Sequence, residues 1–262
     1  MRRGPTGRRE LDRRASPSDC RAAWPSARTL VDRWYGRIVR QRHAQSAETV
    51  RRRLEQGTRD PAQFRSALVE VPARERDDWV DRVLGLGELP DDDPQLPAGC
   101  VPYLPCPVDA ILAVVEHAAV GPSDVFVDVG SGAGRTAALV HLLTGAGVIG
   151  LEIQSRLVVA ARELAARLSL SRVAHVEGDA TVLARYMTIG SIFFLYCPFS
   201  GERLAKVVAD LADVARTRTI RVCTVDTPVP PCLWLEPEPA AALNVAVYRS
   251  TLCEHPYARA QL

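Results

Sequence analysis

Five residues, Val125-Phe126-Val127-Asp128-Val129, run straight into Gly130-Ser131-Gly132-Ala133-Gly134, and a helix-forming stretch opens at Arg135. A short run rich in β-branched and aromatic residues reads as a buried strand. Three glycines in the next five residues let the backbone turn tightly and approach a ligand with no side chain between. A strand that passes through a tight turn into a helix is half of a βαβ crossover, which commits the chain to a parallel sheet. The same alternation continues downstream. Strands are predicted at 148–152, near 174–176, and at 191–196, 219–225 and 243–250. Helices are predicted at 135–143, 155–168 and 201–215. Alternation of this kind predicts an α/β fold, a doubly wound, mostly parallel sheet with helices on both faces. Ligands of such sheets bind at the carboxyl ends of the strands, so the residues just after each strand are the candidate site.

The N-terminal part differs in composition. Residues 1–25 mix Arg, Pro, Gly and Ser without periodicity and read as a disordered basic arm. The segment 26–86 reads as helical. Leu30, Val31, Trp34, Tyr35, Ile38 and Val39 recur at helical spacing along a first helix reaching about residue 56. Asp60-Pro61 offers an N-cap followed by proline at the first helical position, starting a second helix that carries Phe64, Leu68 and Val69. Trp79, Val80, Val83 and Leu84 mark a third. Residues 87–99, with breakers and an acidic run, read as a linker to a ligand-binding domain over 100–262.

Charge is uneven along the chain. Residues 1–60 hold 16 Arg against 7 acids, a balance of +9, so residues 61–262 sum to −7 within a whole chain of +2. A basic arm can be a nucleic-acid footprint. However, Lys206 is the only lysine, and a global preference for arginine is the favoured account of the arm over nucleic-acid binding. Seven scattered cysteines with no C-x-x-C pair indicate neither a disulfide framework nor a metal site. With no membrane-length apolar run and no secretory h-region, the expectation is a cytoplasmic protein without a membrane partner.

The glycine turn alone does not choose a ligand, since dinucleotide-binding enzymes use one too. Two details separate the readings. The glycines run G-x-G-x-G rather than G-x-G-x-x-G, and Asp128 stands two residues before the first. A carboxylate there repels a pyrophosphate but suits a ligand bearing an ammonium and a sulfonium. The spacing and the acid favour S-adenosylmethionine over NAD or FAD. Glu152, about 20 residues on at the tip of the second strand, can accept hydrogen bonds from ribose hydroxyls, or can cap the helix that follows. Ile153 can pack on an adenine ring. Asp179 and Ala180, after Gly178, can contact the adenine amino group, or form a simple turn. Tyr196-Cys197-Pro198-Phe199 follows the very apolar fourth strand and would face the reacting methyl. In the alternative, Pro198 stiffens a turn and Phe199 fills the core.

Taken together, the motifs at 128–135, 152, 178–180 and 196–199 resemble motifs I to IV of the class I, Rossmann-like S-adenosylmethionine-dependent methyltransferases, over about residues 100–250. Val101-Pro-Tyr-Leu-Pro-Cys-Pro107 resembles the lead-in of the branch holding DOT1-like histone lysine methyltransferases and small protein lysine methyltransferases. The resemblance implies a seven-stranded sheet and a methyl transfer whose acceptor includes protein lysine amines. It implies that Asp128, Gly130, Ser131, Gly132 and Gly134 hold the methionine and ribose parts, with Tyr103 or Thr136 at the methionine end. It further implies Glu152 on the ribose, Ile153, Asp179 and Ala180 around the adenine, and residues 196–199 as the catalytic loop. Cys197 stands where amine-directed relatives often carry Asn or Asp. Two alternatives remain open on sequence alone: an NAD(P)-dependent oxidoreductase, and a protein that binds S-adenosylmethionine without catalysis.

Overall fold

The structure is a computed structural model, and it describes residues 27–239 and 244–252, with side chains from residue 41 onward. The basic arm at 1–25, the stripe from Leu30 to Val39, Cys20 and Cys253 therefore lie outside what is described of side chains. The chain divides into two units, Met1–Arg42 and His43–Leu262. The first contributes the start of helix α1 (Ala27–Glu55), and everything below concerns the second.

Helices α2 (Pro61–Val69) and α3 (Arg76–Leu84) start and stop where local chemistry dictates. Asp60 caps α2 by accepting from the Ala62 and Gln63 amides, and Pro61 takes the first turn, where no amide is needed. Gly85, at φ 62°, ends α3 in the left-handed conformation. Next come α4 (Val108–His117), β1 (Val125–Val129), α5 (Arg135–Thr144), β2 (Gly147–Glu152), α6 (Ser155–Arg167) and β3 (Val173–Glu177). The chain continues through α7 (Ala180–Leu183), β4 (Ile192–Tyr196), α8 (Gly201–Thr217), β5 (Arg221–Val225), β6 (Leu235–Glu238) and β7 (Val245–Ser250).

The strands form one sheet in the order β3-β2-β1-β4-β5-β7-β6. The five from β3 to β5 are parallel, while β7 runs antiparallel to both β5 and β6. This is the seven-stranded, mostly parallel sheet with flanking helices that the class I methyltransferase resemblance implied. The order reverses direction between β1 and β4, which places the topological switch point beside the glycine turn.

Two apolar layers enclose the sheet. One contains Phe126, Phe194, Ile111 and Leu139 together with Phe64, Leu68, Trp79, Val83 and Leu84 of α2 and α3. Helices α2 and α3, with Ala47 and Leu54 of α1, thus share one core with α4 and α5, and Phe64 packs on Trp79 with ring centroids 5.8 Å apart. The other layer joins Val127, Phe193, Leu195 and Leu151 to the inner face of α8.

The proline-rich stretch 226–239 ends in a strand: residues 235–238 form edge strand β6, with Pro237 opposite Tyr248. Proline is compatible with a strand at a sheet edge, where its missing amide interrupts no further ladder. Trp234 packs partly buried against the second core layer. No helix among the described residues is long and apolar enough to cross a membrane.

Candidate functional site

A cavity opens at the carboxyl ends of β1, β2, β3 and β4. It is lined by Gly130, Glu152, Ile153, Asp179, Ala180 and the whole loop 196–199, all of them residues singled out in the sequence. Ser131, Gly132, Gly134, Thr136 and Asp128 do not line it. Thr136 is buried within α5, and Ser131 and Asp128 are buried beneath the turn. Tyr103 does line the cavity, and its ring lies directly on Gly132, where any Cβ would collide with it.

The turn is held by backbone geometry. Gly130, Gly132 and Gly134 have φ of 81°, 52° and 79°, a region open to glycine at little cost. A Cβ on Gly130 would sit 2.6 Å from Cβ of Pro198, so the turn and the catalytic-loop candidate touch. Both the Gly130 and Ser131 amides donate to the Leu151 carbonyl at 2.9 Å. Glu152 completes the arrangement. One carboxylate oxygen accepts from the Gly132 amide at 2.8 Å and the other from the Gln154 amide at 2.8 Å. Burial raises its pKa against those amide bonds. The side chain does not cap α6, so the capping alternative fails in its simple form. Each oxygen keeps a lone pair for a further donor.

Asp128 is the unusual member. It is 3% exposed, and its Oδ2 is shut from solvent with no hydrogen-bond partner. Burial, reinforced by the Glu152 charge, pushes its carboxyl up to about 7. The Tyr103 hydroxyl is likewise buried and unpartnered, and desolvation, with Asp128 and Glu152 adding to it, pushes its pKa up to about 12. Buried polar atoms without partners are rare and call for an explanation. A carboxylate and a phenol hydroxyl, both unsatisfied and within electrostatic reach of each other, form a place for a zwitterion.

Asp179 is differently placed. Its Oδ1 accepts from the Thr181 amide and hydroxyl, and its Oδ2 pairs with Arg203 at 2.6 Å. Burial acts to raise its pKa, but the Thr181 and Arg203 bonds hold the carboxyl below its ordinary value. It lines the cavity with its charge already committed to capping α7. In the loop 196–199, Cys197 adopts φ 43° and its amide donates to Thr227 Oγ1 at 2.8 Å. Phe199 is buried in the second core layer and only edges the cavity, while Tyr196 and Pro198 stay partly exposed there.

Several participants were not foreseen. The opposite wall is built by Leu96, Cys100, Val101, Pro102 and Leu104, from the interval read as a linker and its continuation. Among the described residues, none of α2 or α3 lines this cavity. The interval is anchored by side chains. Asp92 Oδ1 accepts from the Tyr103 amide at 2.9 Å and from Gln154 Nε2 at 2.8 Å, and the Asp93 amide donates to Gln154 Oε1 at 2.7 Å. Farther along, Val101 N donates to the Pro198 carbonyl at 3.3 Å and Ser200 N to that of Gly99 at 2.9 Å. The strap from 92 to 104 is thereby stitched both to the acid Glu152, through Gln154, and to the loop 196–199.

Arg135 is the other missed residue. It opens α5 directly behind the glycine turn and is 3% exposed. Its guanidinium donates to Asp81 Oδ1 at 2.6 Å, Asp77 Oδ1 at 2.9 Å and the Cys106 carbonyl at 2.6 Å. A cation at a helix N-terminus is disfavoured by the helix dipole. The two α3 carboxylates neutralise it and fix the turn to the upstream helices.

No family model matches the chain, and no curated relative matches it in sequence. Among solved structures, it is similar to an RNA methyltransferase from Salinibacter ruber in complex with S-adenosyl-L-homocysteine. That match has 26% identity and a TM-score of 0.49, over 58% of this chain and 95% of that one. The geranyl diphosphate C-methyltransferase of Streptomyces coelicolor, solved with Mg2+, geranyl diphosphate and S-adenosyl-L-homocysteine, matches at 14% identity and TM-score 0.38. It covers 45% of this chain and 44% of that one. A structure of MtNAS with MTA and tNA matches at 16% identity and TM-score 0.45, over 56% and 61%.

Proposed function

We propose that this chain binds S-adenosylmethionine at the carboxyl ends of β1 to β4 and transfers its methyl group to an acceptor entering beside Tyr196 and Pro198. The observation that carries the reading is the buried Asp128 carboxyl, with Oδ2 unpartnered, behind a glycine turn at the sheet's switch point. The residues present fit the group. Asp128 suits the α-ammonium, and the Tyr103 hydroxyl suits the α-carboxylate once its ring lifts from Gly132. Glu152 retains acceptor capacity for ribose hydroxyls, and Ile153 with Ala180 offers apolar contact to a base. A dinucleotide reading fits worse, since a pyrophosphate would meet two buried carboxyls at this turn.

When bound, the cofactor supplies an electrophilic methyl on a sulfonium. The chain's own work is placement. Glu152 and the Leu151 carbonyl set the glycine turn, and the strap 92–104 excludes water from it. Cys197, locked by Thr227, fixes the loop across which the acceptor approaches, and proximity and orientation supply most of the acceleration. A protein lysine amine is the finer acceptor reading. The partly exposed Tyr196 ring on the rim supports it, while Phe199 is held in the core.

Calorimetry with S-adenosylmethionine, S-adenosylhomocysteine and NAD tests the binding step. Saturable binding of the first two without NAD is expected, and NAD binding alone would overturn the reading. Transfer of labelled methyl to size-fractionated lysate then separates an enzyme from a non-catalytic binder.

A further inference from the structure

We propose that a second cavity, formed by the end of α1, the turn 58–60, α2 and α5, binds a small organic anion, a carboxylate carried on an apolar body. It is independent of the cofactor reading. The walls are apolar: Val50, Leu54, Phe64 and Leu142 line it, three of them core residues. Two guanidinium groups, Arg53 and Arg59, line it as well. Neither makes a side-chain hydrogen bond or ion pair among the described residues, and Arg59 Nε is closed off from solvent with no acceptor. A guanidinium N–H cut off from both water and an acceptor is costly, and the group that satisfies it best is a planar carboxylate.

Nothing nearby already serves that purpose. Asp60 is the acid at the cavity, but it is spent on α2. Its Oδ1 accepts from the amides of Ala62 at 2.9 Å and Gln63 at 3.2 Å, and its Oδ2 from Gln63 Nε2 at 2.8 Å. His141, also in the lining, pairs through Nδ1 with the Ala146 carbonyl at 2.8 Å. Burial, with Arg59 and Arg172 adding to it, lowers its pKa, so it stays neutral and offers the guanidinium groups no counter-charge. The apolar lining from Val50, Leu54, Phe64 and Leu142 favours a hydrocarbon body over a bare inorganic ion.

The test is titration calorimetry of the full chain with hexanoate and benzoate, with inorganic phosphate and 1-hexanol as controls. Saturable binding of at least one carboxylate is expected, with phosphate and hexanol weaker by about tenfold or more. Arg59→Gln should weaken the carboxylate by about tenfold. Ala67→Leu, which fills the cavity, should abolish binding. Arg59→Gln alone decides the matter if the filled variant does not fold, because Arg59 is only partly buried and supports no other residue. Failure of both carboxylates to saturate, equal binding of phosphate, or unchanged affinity in Arg59→Gln would each overturn the proposal.

Discussion

An aspartate whose carboxyl is pushed up to about 7 changes charge within the range where proteins work. Only its ionised form attracts an ammonium, so affinity for S-adenosylmethionine should rise with pH and level off above about 7. Below that point the slope should approach about tenfold per pH unit. Asp128→Asn should bind more weakly by roughly 10- to 100-fold and lose the slope, as calorimetry across pH 5.5–8.5 would show. The sign for the free protein is opposite. A folded carboxyl raised from 3.8 favours the native state at low pH, and that contribution is lost as pH rises through about 7. Gly150 offers a second residue-level check. A Cβ there would lie 2.5 Å from Ser131 Oγ and 2.7 Å from His175 Nδ1. Gly150→Ala should therefore destabilise by about 1–3 kcal/mol, read from denaturant unfolding, by forcing the turn upward.

At the scale of elements, α3 and the glycine turn are linked through a buried cation. Asp77→Ala with Asp81→Ala would strand Arg135 without its counter-charges, at a cost of about 3–5 kcal/mol. Arg135→Met, which removes the charge and keeps the stem, should cost less, and thermal unfolding of the two variants would rank them. Equal losses would mean the ion pairs merely accompany packing. This link also shows where the sequence was legible. The strands and long helices of the sheet were readable because their apolar residues follow one period and their turns carry glycine or proline. The cavity residues on strand tips followed from topology. Asp92, Gln154 and Arg135 were not readable, because their partners lie 62 and 54 to 58 residues away and no local pattern marks a long-range bond. Strand β6 was hidden by Pro237, whose ring suits an edge strand and a loop equally.

For the second unit as a whole, α2, α3 and the end of α1 are part of the core rather than an appendage. A chain beginning at Gly99 would expose Leu139, Leu142 and Ile111, which in the intact protein pack with Leu68, Trp79 and Val83. Aggregation on expression is expected; a soluble monomer with undiminished cofactor affinity would disprove it. The far rim of the sheet shows how the molecule meets its own copies. Strand β6 presents its outer row at the end of the sheet, where an open ladder can recruit another chain. It is four residues long, has a proline where a free amide would stand, and flanks it with Glu236 and Glu238. Glu238 is paired with Arg221, which leaves Glu236 and a gap in the row of donors to meet a second chain at that rim, so crowding should not extend the sheet from one molecule to the next.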